Sequence, residues 1–301
     1  MVPDKILLES LEQAIIKITP MQRKKLGYFF QNMNMRMKIF LKSYIKFCIS
    51  KGDTIEYLAQ SYSLLVKETL KEQIFFAKHG CYRYKSYEEV KDKVYNNNEY
   101  MKMYMTGLCI STALWENHTK MFDFFIQTLS RANNGEIYLE IGPGHGFFLM
   151  EAMKKTQYQL YEAVDISETS VNMTRRILEF NKIDAKFELR CVDFLQMETQ
   201  RKFDAIVMGE VLEHVEEPIL FLNKIYSIAH QDTYIYISTC LNAPEIDHIF
   251  LFSTLAEVEN LFKKAGLIIQ DKLILPYQNE SLEKSIKNKL PVNLAYTLRK
   301  F

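Results

Sequence analysis

The sequence predicts an open, doubly wound α/β sheet preceded by an all-helical region. Three observations carry the prediction. No proline stands between Pro20 and Pro143, and a stretch that long without the residue that breaks helices reads as helical. Six of the ten glycines lie between Gly135 and Gly266. From Gly135 onward, short apolar runs alternate with helical patterns, the mark of a sheet whose strands are joined by helices.

Taken in chain order, four to six helices are expected up to about Ser130. Apolar positions recur at helical spacing, as in Leu7, Leu11, Ile15 and in Val66, Leu70, Ile74. Thr19-Pro20 places an N-cap before a proline at the first helical position. Asp53-Thr54-Ile55-Glu56 and Ser86-Tyr87-Glu88-Glu89 have capping-box form, and Gly52 and Gly80 sit where helix-ending glycines belong. Asn96-Asn97-Asn98 reads as a helix-breaking loop. Strands are expected at Ile137 to Ile141, Leu160 to Val164, Lys186 to Cys191, Ala205 to Met208, Tyr234 to Ser238, Leu267 to Leu275 and Ala295 to Leu298, with helices starting near Gly146, Ser167, Pro218 and Thr254.

At roughly 150 residues per domain, 301 residues suffice for one large domain or two ordinary ones. A composition of 48% hydrophobic and 25% charged residues excludes disordered, collagenous and disulfide-scaffold classes. Thirty-eight basic against 37 acidic residues leave a charge of +1, without the basic excess of a nucleic-acid binder, although a local patch can hide within a balanced total. The five cysteines, Cys48, Cys81, Cys109, Cys191 and Cys240, are widely spaced and lack CxxC pairs, so buried thiols in a reducing cytoplasm are expected rather than disulfides or a metal site. The N-terminus carries Asp4, Glu9 and Glu12 and does not read as a secretory signal. No uncharged apolar run approaches the length of a membrane span, so a soluble cytoplasmic protein without a membrane partner is expected.

The segment Glu140-Ile141-Gly142-Pro143-Gly144-His145-Gly146 follows a buried strand and opens a helix. Glycines there let the backbone turn sharply and approach a ligand, and the helix N-terminus offers unpaired N–H groups. A dinucleotide fingerprint needs a glycine where Phe147 stands, and the Lys-Ser/Thr of a P-loop is absent, so hydride transfer with NAD and nucleoside-triphosphate hydrolysis both lose ground. Asp165 ends the second strand, and Asp193-Phe194 follow the third. Read alone, Asp165 is equally a helix N-cap, Asp193 an ordinary loop acid and Phe194 a core residue.

The glycine segment resembles motif I of the class I S-adenosylmethionine-dependent methyltransferases. The run from Phe203 to Val215, with Gly209-Glu210-Val211-Leu212-Glu213-His214 at its end, is similar to the fourth strand and loop of the small-molecule branch that includes the ubiquinone-biosynthesis enzymes. The resemblance covers roughly residues 135 to 300. It implies a Rossmann-like seven-stranded sheet of order 3-2-1-4-5-7-6, in a cofactor-binding domain over 121–301. The helical domain over 1–120 is rich in Tyr, Phe and Met on apolar helix faces, which suits a lid over the acceptor or a homodimer interface, with core packing accounting for most of those side chains. It further implies that S-adenosyl-L-methionine is held by Glu140, Gly142, Gly144, Gly146, Asp165, Ile166, Asp193, Phe194 and Glu210, with Asp165 at the ribose and Asp193 and Phe194 at the adenine.

Methyl transfer rests chiefly on in-line positioning, which can account for about 7–11 kcal/mol of barrier. An acceptor oxygen or nitrogen can also need a base. Of six histidines, His214 follows the fourth strand and His248 the fifth, on the rim where such sheets bind ligands; they are the candidate catalytic residues, and His248 also a candidate acceptor contact. His145 is expected to pack near the cofactor, His79 to end a helix and His230 to be solvated. Trp115 and His118, in the cluster Leu114 to His118 at the join of the halves, are candidate acceptor-pocket walls. The loop after the fourth strand has neither the Asn/Asp-Pro-Pro-aromatic nor the Pro-Cys pattern of base methylation, so a small-molecule acceptor is expected and no nucleic acid. A protein side chain as acceptor, or a partner-binding module without transfer activity, are the alternatives.

Overall fold

Capping residues set the boundaries of the helical half, and the computed structural model follows most of them; it describes residues 4–132, 134–278 and 280–301. The helices are α1 (Asp4–Ile18), α2 (Arg23–Asn32), α3 (Met35–Ser50), α4 (Ile55–His79), the single turn α5 (Tyr87–Val90), α6 (Asn98–Leu114) and α7 (Glu116–Leu129). Thr54 caps α4, its hydroxyl accepting from the Tyr57 amide at 3.1 Å, while Asp53 pairs with Lys102 instead. Glu89 reaches back to the Ser86 amide as a capping box should. Gly52 and Gly80 end their helices at positive φ, and His79 is the last residue of α4. Asn97 turns the expected loop into a helix start by accepting from the Tyr100 amide.

Two expectations fail here. Thr19-Pro20 opens only a single 3-10 turn, because the Thr19 hydroxyl donates back to the Ile15 carbonyl and caps nothing. Leu7, Leu11 and Ile15 are buried, whereas Leu70 and Ile74 stand 55% and 62% exposed. Helix α4 turns Leu58, Tyr62 and Leu65 inward; Val66 still packs against the edge of the core, while Leu70 and Ile74, further along the same row, face outward.

The second half continues with β1 (Asn134–Ile141), α8 (Phe147–Lys155), β2 (Gln157–Asp165), α9 (Glu168–Phe180), β3 (Phe187–Cys191), β4 (Phe203–Gly209), α10 (Pro218–Ile228), β5 (Ala229–Leu241), α11 (Leu255–Lys264), β6 (Leu267–Leu275), α12 (Leu282–Lys287) and β7 (Val292–Lys300). The sheet order is β3-β2-β1-β4-β5-β7-β6, with β7 antiparallel to both neighbours. β1 pairs on one side with β2 and on the other with β4, so the strand order reverses at the end of β1. Ligands bind in the crevice that such a reversal opens at the carboxyl ends of the strands. The short helix α12 has no counterpart among the predicted elements.

Cores form on both faces of the sheet. On one face Leu139, Ile206, Phe203, Phe262 and Tyr296 pack together. On the other, a single cluster runs from Leu11, Leu41 and Tyr62 through Phe122 and Phe147 to Tyr236 and Ala295, so helical half and sheet share one core. The expected division after residue 120 falls within α7, whose Phe125 packs edge-on against Tyr236 of β5 at 5.1 Å. Removing residues 1–110 should therefore bare Phe122, Phe147 and their neighbours and yield an aggregating, inactive remainder. A monodisperse, fully active fragment on size exclusion would show that the first half neither covers nor completes the sheet.

Three of the five cysteines are buried as expected, but Cys81 is half-buried and Cys191 exposed. His230 is not simply solvated: it bonds Asp204 at 3.0 Å where that carboxylate also accepts from the Ile137 amide at the start of the sheet. No helix among the described residues is long and apolar enough to cross a membrane.

Candidate functional site

The glycine loop leaves β1 with Gly142, Gly144 and Gly146 all at positive φ. At Gly142 a Cβ would lie 2.7 Å from Val211 of the β4 loop, so a side chain there would push apart the two loops that flank the crevice. At Gly146 a Cβ would strike the Thr174 backbone of α9 at 2.9 Å. Gly146 is thus the packing glycine that lets α8 start against α9, and it does not line the cavity. The preceding Glu140 is 3% exposed, accepts from the Tyr138 hydroxyl at 2.8 Å, and burial pushes its carboxyl up to about 8. Such a carboxylate needs a cation to stay ionised at neutral pH.

Asp165, at the end of β2, accepts from the Gly144 amide at 3.2 Å and the Ser167 amide at 2.8 Å. Each oxygen keeps a second lone pair for a ligand. Burial raises this carboxyl to about 6. Ile166 beside it is 42% exposed, an apolar surface presented to the crevice. Asp193 caps the 3-10 turn Phe194–Gln196 through the Leu195 amide, and Phe194 is buried against Phe221; both nevertheless line the cavity. Glu210 holds a left-handed backbone with φ 51°, a conformation that costs a non-glycine residue about 1–3 kcal/mol. Burial raises its carboxyl to about 7 and pushes that of nearby Glu213 up well beyond the usual range, with Glu210 adding to the latter.

His214 and His248 meet edge-on with ring centres 4.6 Å apart, so the two rims named separately from sequence converge on one cluster. His214 Nδ1 lies 3.1 Å from the Asp247 carbonyl oxygen and 3.3 Å from both the Asp247 carboxylate and the Tyr95 hydroxyl. The Asp247 oxygens also accept from Tyr95 and Tyr104. His248 Nδ1 donates to the Ala243 carbonyl at 2.6 Å, and burial, followed by the charge of His214, holds its pKa well below the usual value. The Nδ1 bonds leave each Nε2 as an acceptor. Trp115 donates to Tyr62 at 3.0 Å and stacks obliquely on His118, whose pKa burial lowers to about 4. His145, lowered by burial to about 4, accepts from the Phe147 amide.

One cavity of about 1400 Å³ joins these groups, from Glu140, Gly142, Gly144 and Asp165 to Trp115, His118, His214 and His248. Its walls also include Tyr95, Tyr104, Met105, Asp247 and Glu245. Sequence reasoning passed over these residues: Tyr95 and Tyr104 lie some 140 to 150 positions from Asp247, and no local pattern marks a contact made across that distance. Two overlapping trios, Glu213 with Cys240 and His248, and His214 with Asp247 and His248, bring their ligand atoms within 4.8 Å of one another. The cluster therefore has the spacing to hold a cation as well as to pass a proton, although no metal is expected from the sequence. The loop end of the cavity suits S-adenosylmethionine. Its glycines leave a cradle a Cβ would fill, and Glu210 Oε1 and Ser170 Oγ are buried on its wall without a partner.

If Asp165 receives the ribose, Asp165→Ala should weaken S-adenosylhomocysteine binding by about 10- to 150-fold, the value of hydrogen bonds to a charged group of roughly 1.5–3 kcal/mol. Protonation removes the acceptor, so wild-type affinity should fall as pH drops through about 6. Asp165→Asn should flatten that limb; calorimetry across the range measures both.

A family model for the methyltransferase domain matches residues 114–284, from the end of α6 to α12. The ubiquinone biosynthesis O-methyltransferase of Neisseria meningitidis is 22% identical over 185 residues, 55% of this chain and 77% of that protein. Its namesake from Xanthomonas campestris is 27% identical over 110 residues, 36% and 45% of the two chains. Among solved structures, the N-methyltransferase NodS of Bradyrhizobium japonicum in complex with S-adenosyl-L-homocysteine superposes with a TM-score of 0.51 at 14% identity, covering 68% of this chain and 97% of that one. The [4+2]-cyclase SpnF superposes with a TM-score of 0.50 at 13% identity over 62% and 82%, so the structural likeness carries the fold alone. With more than half of its length matched by the family model, this chain belongs to the methyltransferase domain family and is a class I S-adenosylmethionine-dependent methyltransferase.

Proposed function

We propose that the protein methylates an oxygen or nitrogen of a small-molecule acceptor by in-line displacement. The observation that supports this reading is that one cavity is lined both by the glycine loop and by His214, His248 and Asp247. Bound S-adenosylmethionine supplies an electrophilic methyl group. Glu140, with Gly142 and Gly144, would hold its methionine part, Asp165 the ribose, and Ile166, Asp193 and Phe194 the adenine. Glu210, which lines the same cavity, would bind at the cofactor's edge. Gly146 serves this site by packing the loop rather than by contact.

On the acceptor side, Asp247 and Tyr95 fix the His214 ring through Nδ1, so Nε2 would take the acceptor's proton. The His248 ring, kept neutral by burial, would bind the acceptor. Trp115 and His118 would wall it on the helical side, and the helical half would exclude water. The acceptor class is supported by the absence of base-methylation patterns after β4.

Incubation with labelled S-adenosylmethionine and a fractionated metabolite extract, followed by mass spectrometry, tests the reading. A product one methyl heavier in the small-molecule fraction is expected. Label found only in protein would turn the assignment to a side-chain acceptor. Cofactor binding without any product would leave a binding module.

A further inference from the structure

The balanced net charge conceals a strong local imbalance. Between residues 13 and 52 stand nine lysines and arginines and no acidic residue, so the other 261 residues carry 29 basic and 37 acidic ones. The segment covers the end of α1, all of α2 and all of α3. Seven of the nine cations are exposed, and Lys38 and Lys42 are half-buried. Arg36 spends part of its charge on Asp123.

The same segment holds half of the large apolar side chains that are exposed among the described residues: Ile18, Met21, Tyr28, Met35, Ile39 and Ile49. Met21 is fully exposed and Met35 70% exposed. On α3 the arrangement is a stripe. Met35, Ile39, Lys42, Lys46 and Ile49 recur at three, four and seven residues and share the outer face, while Met37, Phe40, Leu41, Tyr44, Ile45 and Cys48 face the core. Single exposed apolar residues need no explanation. Six such side chains and nine cations in a segment with no acid of its own make this part of the surface both apolar and basic.

We infer that this surface docks on an anionic lipid bilayer. Nucleic acid would use the cations and gain little from Met35, Ile39 and Ile49, whereas the interfacial region of a bilayer rewards both charge and apolar area. The lack of a spanning helix does not bear on a contact of this kind. The surface also borders the cavity: Lys25 and Tyr28 of α2 are exposed and line it, so they stand at its mouth. Docking through this face would put the mouth at the lipid–water boundary, where an amphiphilic acceptor is concentrated.

Co-sedimentation of the full chain with vesicles tests the inference. Vesicles of phosphatidylcholine containing about one-quarter phosphatidylglycerol should retain the protein at low salt and release it as ionic strength rises, while pure phosphatidylcholine should not. Each lysine at such a surface is worth about fivefold in partitioning, so K38Q/K42Q should weaken binding about 25-fold. Because Lys38 and Lys42 are half-buried, M35S/I39S on exposed positions gives a second test, and it should lower binding without lowering Tm. Failure to bind either vesicle would overturn the inference. So would preferential binding of a single-stranded RNA, or a dimer on light scattering that M35S/I39S disperses, since either would assign the surface to a different partner.

Discussion

Gly144→Val should abolish binding of S-adenosylhomocysteine in a protein that still folds. Gly144 stands at φ +54°, and a Cβ there would meet only the flexible Met105 side chain, at 3.4 Å. The fold can therefore accept the branched side chain by moving a methionine terminus, at the cost of the backbone strain that a left-handed valine brings, about 1–3 kcal/mol. A ligand lying against the loop has no such room, because the valine methyl groups would occupy the space its backbone contact requires. We expect at least a 100-fold loss by calorimetry, with Tm lowered by only several degrees. Gly146→Val is the control in the opposite sense. Its Cβ meets Thr174 backbone at 2.9 Å, so it should destabilise the junction of α8 and α9 and show low Tm and poor solubility. If Gly144→Val binds as the wild type does, the cofactor does not lie on this loop.

The contrast between those two glycines shows where sequence reading stops. The spacing of Gly142, Gly144 and Gly146 after a buried strand makes the loop legible, since only positive φ explains three glycines in five residues. It does not say which glycine faces a ligand and which faces α9, because that depends on Thr174, 28 positions further on. The strands were legible for a related reason. The carboxyl-terminal parts of β1, β2, β4 and β5 are mostly apolar runs buried on both faces, and capping residues punctuate the helices between them. The outward Leu70 and Ile74 were misleading because a helical period fixes the spacing of a face but not which of two faces the neighbouring helix covers. His214 and His248 were legible as rim residues from the strands they follow. Their contact was not, because it is made by the loop from Asn242 to Phe252 folding back so that the Ile249 and Phe250 amides donate to the Glu213 carbonyl. Asp193 and Phe194 show the converse, each serving as a cap or a core residue while still bordering the cavity.

Replacement of His214 by alanine should lower turnover by about 100- to 10,000-fold, the range for loss of a general base. The Asp247 carbonyl and carboxylate and the Tyr95 hydroxyl all surround Nδ1, so the ring is fixed with Nε2 available, and a nearby carboxylate stabilises the imidazolium that proton abstraction would form. His248 lacks that support. Its Nδ1 is spent on the Ala243 carbonyl, and burial together with the neighbouring His214 opposes any positive charge on it. A group so reluctant to protonate is a weak base and a steady hydrogen-bond acceptor, so His248→Ala should raise KM for the acceptor more than it lowers kcat. His248→Gln, whose amide oxygen can reach the position of Nε2, should restore part of the KM loss. Neither change should move S-adenosylhomocysteine affinity by more than a few-fold. A larger fall in kcat for His248→Ala than for His214→Ala would exchange the two roles. If chelation by EDTA stops turnover and a divalent cation restores it, the same cluster works by holding the acceptor on a metal, and if neither mutant changes the rate, the transfer proceeds by positioning alone.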